Sequence, residues 1–267
     1  MNEDTQQELT RRALDVNLAN LALGHEVFVA DGATFVRNRE FPPVYDANFV
    51  SRVTASTADE IAALLARMER EYAHCRHRSI RTDDATPPAF TAHLALADYT
   101  PNDALIAVLE GDLRATPKRF EIRQIVDDSG WAAFYELNRH DWAEYATRLG
   151  KADEDATGVA LARSQRAKSP PVRCWLAYDD GEPRGYFNSW EGTDGVGQVE
   201  NLFVMSEYRH RGIATALIAH CVADARAHGA GPVVIVSDPT DTPKHMYAAM
   251  GFRPVALQRS WLKKLDA

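Results

Sequence analysis

The sequence predicts an α+β chain built on a mixed sheet and divided into two domains. Three observations carry that prediction. Asp31-Gly32 and Asp180-Gly181 each lie between β-rich runs and mark antiparallel hairpins. Residues 196–204 read as a strand, 210–228 as a helix and 233–236 (VVIV) as a strand buried on both faces. That strand–helix–strand step implies a parallel pair at the centre of the sheet. Thr116-Pro117 then separates two runs of elements, giving expected domains 1–116 and 117–267.

The elements follow in order. Residues 8–23 lack strong breakers and form a helix closed by Gly24. Runs 26–30 (EVFVA) and 33–37 (ATFVR) flank the first hairpin turn, and 47–53 is a third strand-like piece. Thr57 followed by Glu60 is a capping box, and its helix places Ile61, Leu64, Leu65 and Met68 on one face. A short strand at 78–82, a helix at 88–99 and a strand at 104–110 complete the first half. In the second half a strand starts at Phe120 and Ile122. Trp131, Phe134, Tyr135 and Asn138 then follow a helical period that continues through Asp141–Tyr145. The charged, Ala-rich stretch 151–170 reads as a helix with a loop ending in Pro170-Pro171, and 172–178 and 184–190 form the second hairpin. After the central step come a short helix at 243–250 and a pair of strands across 253–263.

Composition narrows the function. The 267 residues carry 38 acidic and 30 basic side chains, a net charge of −8, with 45% hydrophobic and 25% charged residues. These are values of an ordinary globular protein. A net acidic chain is a poor general binder of nucleic acid or anionic membrane and suits cationic partners better. Three widely spaced cysteines (Cys75, Cys174, Cys221) make no disulfide framework and fit a reducing compartment. No apolar run has the length of a signal peptide or membrane span, so a cytoplasmic location is expected. The Arg- and Ala-heavy composition suggests a bacterial genome rich in GC.

The segment that carries chemistry is Glu200-Asn201-Leu202-Phe203-Val204, Ser206-Glu207-Tyr208 and Arg209-His210-Arg211-Gly212-Ile213-Ala214-Thr215. A strand runs through a short loop directly into an amphipathic helix, whose Ala214, Leu217, Ile218, Cys221, Val222 and Ala225 share one face. The first turn of a helix leaves backbone N–H groups unpaired, and its dipole favours negative charge. Gly212 admits a ligand close to that backbone, and Arg209 and Arg211 add positive charge, which together suit a phosphate or pyrophosphate. No Gly-Lys-Ser/Thr follows and G-x-G-x-x-G is absent, which excludes a P-loop and a dinucleotide fingerprint.

Arg209-x-x-Gly212-x-Ala214 resembles the Q/R-x-x-G-x-G/A pyrophosphate loop of the GNAT superfamily of acetyl-CoA-dependent N-acyltransferases. Asn201–Val204 with Glu207-Tyr208-Arg209 looks like that family's fourth strand and following turn. Met246-Tyr247-Ala248-Ala249-Met250-Gly251-Phe252 looks like its Y-x-x-x-G-F segment. The resemblance covers about residues 119–264 and implies the acyl-CoA N-acyltransferase (GNAT) fold. It also implies direct transfer of an acetyl group from acetyl-CoA, without a metal, to a primary amine on a small molecule or peptide. It places pantetheine against Leu202, Phe203 and Val204, and pyrophosphate against Arg209, His210, Arg211, Gly212, Ile213, Ala214 and Thr215. The sequence departs from the family's pattern at Thr240, where an Asn is common, and at Pro243, where an Ala is usual. The first half echoes the same order of elements, but Ala55-Ser56-Thr57-Ala58 holds no Arg-x-x-Gly loop. It therefore reads as a degenerate GNAT-like domain unable to bind CoA phosphate in that way.

Acetyl transfer needs a base for the ammonium proton, polarisation of the thioester oxygen and an acid for the departing thiolate. The resemblance puts Tyr247 at the acid's position, although its place on a stripe with Pro243, Met246 and Met250 also suits a core residue. Glu200 stands where relatives keep a carboxylate base; the alternative is a sheet-face carboxylate paired with an arginine. His140, Asp141 and Glu144 are rival bases or cation ligands on a helix face expected to be solvated. Trp131, Phe134, Tyr135, Trp142 and Tyr145 either wall an acceptor pocket or pack the core. His74-Cys75-Arg76-His77 lacks the spacing of a metal site. A non-catalytic acyl-CoA-binding or interaction module is the competing reading.

Overall fold

A computed structural model describes residues 3–148, 150 and 155–265. The chain forms two compact units, one of Met1–Asn20 with Ile106–Ala256, the other of Leu21–Leu105 with Leu257–Ala267. This division differs from the boundary expected at Thr116-Pro117, because buried contacts rather than chain order define each unit. The start of the first helix and the end of the fifth strand join the second half, and the last strand is shared.

The smaller unit begins with α1's last two residues (α1, Glu3–Ala22) and the hairpin β1 (Glu26–Ala30) and β2 (Ala33–Arg37), in register from Glu26↔Arg37 to Ala30↔Ala33. Asp31 and Gly32 both take positive φ, as the tight turn requires. β3 (Phe49–Ser51) pairs antiparallel with β2, and β4 (His77–Thr82) lies parallel to β3 at Val50↔Ile80. Between them runs α2 (Ala58–Glu71), opened by the expected capping box: Thr57 accepts from the Glu60 amide while the Glu60 carboxylate accepts from the Ser56 and Thr57 amides. Those amide donors push the Glu60 carboxyl down to about 2. α3 (Pro88–Leu96) is three residues shorter than expected, ending before Ala97. Phe35, Val50, Leu64, Met68, Tyr72, Ile80, Phe90, Leu94 and Trp261 form this unit's core. His77 is buried with its Nε2 3.4 Å from the Asn48 carbonyl, and burial lowers its pKa to about 4.

The larger unit holds the mixed sheet. β6 (Glu121–Gln124), β7 (Arg173–Asp179), β8 (Glu182–Thr193) and β9 (Val196–Val204) pair antiparallel in that order, and β10 (Val233–Ser237) adds parallel to β9. Ile106–Leu109, the end of β5 (Thr100–Leu109), lies next to β10. α6 (Ile213–Ala227) covers one face through Leu217, Ile218, Cys221, Val222 and Ala225, the stripe read from the sequence. α4 (Asp128–Arg148) reaches the other face, where the Phe134 ring sits 4.7 Å from that of Tyr186. α5 (Asp155–Ala167) packs on α4 where Gly158 meets Trp142, and a β-carbon there would fall 2.9 Å from the indole. The expected stretch 151–154 lies outside the described residues. α7 (Pro243–Ala249) starts at its proline, which needs no amide partner there. The expected strand pair across 253–263 is instead one strand, β11 (Arg253–Lys264), since no turn residue follows Pro254. None of the described helices is long and apolar enough to cross a membrane.

Candidate active site

The site is built where β9 leaves its parallel partner. The register with β10 runs from Gly197↔Val233 to Val199↔Ile235 and ends there. On the other side β8 and β9 shift by one residue, from Asn188↔Glu200 to Tyr186↔Phe203, and Asn201 takes φ +64° at the shift. Such a bulge bends the strand and increases its twist. Beyond Val199 the pairing with β10 ends, so on that side the backbone of residues 200–204 can offer main-chain N–H and C=O groups to an extended ligand. Of the three residues expected against pantetheine, Phe203 and Val204 are buried and Leu202 is partly buried.

The loop that follows holds a 3-10 turn at Ser206–Tyr208, then His210 at φ +61° and Gly212 at φ +100°. Gly212 is the N-cap of α6, and its carbonyl accepts the first helical bond from the Ala216 amide at 3.0 Å. The amides of Ile213, Ala214 and Thr215 precede the first intrahelical donor, so the helix start can hold an anion. The Ile213 side chain is buried in the core, so its share in such a site is its amide alone. Arg209 donates from Nε to the Val204 carbonyl at 3.0 Å, and its guanidinium pairs with Glu144 of α4. Arg211 lies 3.6 Å from Asp179 and 4.7 Å over the Tyr208 ring, which Arg184 also approaches at 4.3 Å. Lys118, which the sequence reading passed over, runs its stem along Gly212.

Tyr247 sits on α7 with 6% of its surface exposed, and burial pushes its phenol up to about 12, with the Asp241 charge adding to the shift. Among the described residues its hydroxyl has no hydrogen-bond partner. The tyrosine therefore remains protonated across the physiological range.

Glu200 is not free. Lys168 donates to its Oε1 at 2.9 Å and Gln198 Nε2 to its Oε2 at 3.2 Å. Lys168, with 4% of its side chain exposed, also donates to Asn20 at 2.8 Å, and Gln198 donates to Asn17 at 3.0 Å. The partner anticipated for a sheet-face carboxylate was an arginine; here it is a buried lysine, with α1 supplying two asparagines behind it. Nothing in local sequence marks Lys168, Asn17 or Asn20, since they meet only through the fold.

Asp141 departs from the solvated helix face expected of it. It is partly buried and accepts a hydrogen bond from the Tyr186 hydroxyl at 2.7 Å, while Asn138 donates to the same hydroxyl at 3.2 Å. Burial raises its pKa, Glu144 adds to the rise, and the Tyr186 bond, Arg209 and Arg148 oppose it. The Tyr186 ring lies 5.6 Å from that of Phe203, so Asp141 is linked to β9 through one side chain. Glu144 and His140 are more exposed, with Glu144 held by Arg209 and His140 3.6 Å from Glu136. Of the aromatics on α4, Trp131 and Phe134 are core and Tyr145 is exposed.

Residues 131–252 match the family model described as "Acetyltransferase (GNAT) family". That span, a little under half of the chain, resembles a GNAT domain. Its fold extends to solved structures. A GCN5-related N-acetyltransferase from Kribbella flavida matches at 15% identity over 97% of this chain and 96% of that one, with a TM-score of 0.67. A functionally unknown conserved protein from Staphylococcus epidermidis matches at 16% identity over 91% and 95%, also at 0.67. A tandem GNAT protein from the clavulanic acid biosynthesis pathway matches at 14% identity over 82% and 76%, with a TM-score of 0.57. No curated protein matches the sequence. The matched span covers β9, the Arg209–Thr215 loop, α6 and Tyr247, and that match makes acyl transfer the chemistry to explain.

Proposed function

We propose that this GNAT domain moves an acetyl group from acetyl-CoA directly to a primary amine of a small molecule or peptide. The observation that carries the reading is the parting of β9 from β10 beyond Val199, placed immediately before a helix start bared by Gly212. Acetyl-CoA has the two matching parts, an amide-bearing pantetheine arm for the strand edge at Leu202–Val204 and a pyrophosphate for the amides at the start of α6. These residues fit the cofactor. When bound it supplies the activated acyl group.

The protein's own part is binding, positioning and proton transfer. A base takes a proton from the acceptor's ammonium, and the freed amine attacks the thioester carbonyl. As the carbon–sulfur bond breaks, an acid protonates the sulfur, and the second proton of the attacking nitrogen returns to that acid and regenerates it. Tyr247, kept protonated by its burial, fills the role of acid. Asp141, rather than Glu200, fits the role of base. Asp141 is raised by burial and sits beside β9 through Tyr186, whereas Lys168 and Gln198 occupy both oxygens of Glu200. A base poised above the ordinary carboxylate range transfers protons more effectively near neutral pH. Glu200 then fixes the strand beneath the thioester instead of handling protons.

In the same reading the unit of Leu21–Leu105 is a degenerate GNAT-like copy. It repeats the parallel strand–helix–strand step in β3, α2 and β4, but its helix start is closed by the Thr57–Glu60 capping box rather than opened by Arg-x-x-Gly. One CoA per chain is expected, in a bacterial cytoplasm. Calorimetry with CoA, followed by thiol release from acetyl-CoA over a panel of amines, tests the proposal. CoA binding without turnover on any amine would favour a non-catalytic acyl-CoA-binding module, and no binding of CoA would overturn the reading altogether.

A further inference from the structure

Gly212 reads in sequence as a glycine that keeps the helix start bare for an anion. The structure puts something there. A β-carbon built on Gly212 would lie 3.3 Å from Cδ, 3.6 Å from Cγ and 3.8 Å from Cβ of Lys118. The aliphatic stem of that lysine thus runs along the space that a side chain at 212 would fill. A residue other than glycine is opposed twice, by the φ of +100° and by the lysine stem. Lys118 comes from the segment just before β6, far from the motif in sequence, and it is exposed.

The charges around the loop separate the three cations. Arg209 is committed to Glu144 and the Val204 carbonyl, and Arg211 faces Asp179 and stacks over Tyr208. Lys118 has no ion-pair or hydrogen-bond partner among the described residues. An uncommitted ammonium carried by a stem that packs against the N-cap of α6 adds a point charge where the helix start already favours anions.

Resting on the acyl-CoA reading above, we propose that Lys118 is a phosphate-binding residue of this domain and that the bare Gly212 serves to seat it. The ligand chemistry is a phosphate ester of the cofactor, either its pyrophosphate or its ribose 3′-phosphate. Lys118 touches no reacting atom in this proposal, so its effect falls on cofactor affinity and not on the chemical step.

The test is calorimetry of the full chain and of Lys118→Met and Lys118→Arg with CoA and with dephospho-CoA, at low and high salt. Methionine keeps the stem and removes the charge, so folding is preserved at an exposed position. Lys118→Met is expected to weaken CoA about 3- to 10-fold at low salt, less at high salt, with Lys118→Arg close to the parent. A loss confined to CoA supports contact with the 3′-phosphate, and an equal loss for dephospho-CoA supports contact with the pyrophosphate. Lys118→Met binding both as tightly as the parent overturns the assignment while leaving the acyl-CoA reading in place. A parent chain that binds neither compound overturns the acyl-CoA reading itself.

Discussion

Replacing Lys168 with methionine tests the buried pair beneath β9. The lysine donates to Glu200 at 2.9 Å and to Asn20 at 2.8 Å, with 4% of its own side chain and 15% of that of Glu200 exposed. Methionine fills most of the volume but leaves Glu200 with Gln198 as its remaining donor. It also leaves the Asn20 carbonyl without its ammonium, beside an Nδ2 that already has no partner among the described residues. Removing one member of a buried pair costs about 3–5 kcal/mol. Residual exposure of Glu200 lets water take part of the load, so about 2–3 kcal/mol is expected here. At roughly 2–4 °C per kcal/mol for a chain of this size, the melting temperature falls by about 4–12 °C. Replacing both residues, Lys168→Met with Glu200→Leu, removes the stranded charge and recovers at least half of that loss. The double-mutant cycle in urea unfolding at pH 7 then gives a coupling of about 1.5–2 kcal/mol. A Lys168→Met protein within 0.5 kcal/mol of the parent, or single changes that simply add, would refute the view that this pair anchors β9.

Three further outcomes are expected. Tyr247→Phe should lower kcat about 100-fold in a thiol-release assay with little change in CoA affinity or melting temperature, because the lost hydroxyl has no partner among the described residues; unchanged turnover removes Tyr247 from the mechanism. Asp141 keeps its proton to higher pH when folded than unfolded, so its contribution to stability is lost as pH rises through that interval, and the acid limb of kcat/KM should lie above the ordinary carboxylate value near 3.9. Asp141→Asn should abolish that limb and most activity without destabilising the fold at pH 7, since the amide oxygen can still accept from Tyr186; full activity in this variant would return the base to Glu200 or water. Glu144→Gln should release Arg209 and tighten CoA binding by up to about 5-fold in calorimetry, the range of an exposed ion pair; weaker binding would mean that Glu144 orients Arg209 for the cofactor.

Elements whose causes are local can be read from the chain alone. The Asp31-Gly32 turn, the Thr57–Glu60 box and the apolar stripe of α6 depend on residues within a few positions of each other, and each appears where its spacing put it. The strand, loop and helix start from Glu200 to Thr215 were legible for the same reason, because strand, turn, glycine and helix are contiguous there. What surrounds that loop was decided only in three dimensions. Lys168 reaches Glu200 across 32 positions and Asn20 across 148, Tyr186 reaches Asp141 across 45, and Arg209 reaches Glu144 across 65. Asp141 reads as a solvated helix residue until Tyr186 arrives from a neighbouring strand and burial raises its pKa. β11 reads as two strands until its length is seen to serve both compact units. Spacing along a chain records which residues share a face of one element. Which faces then meet, and which charges are thereby stripped of water, follows from packing between elements far apart in sequence.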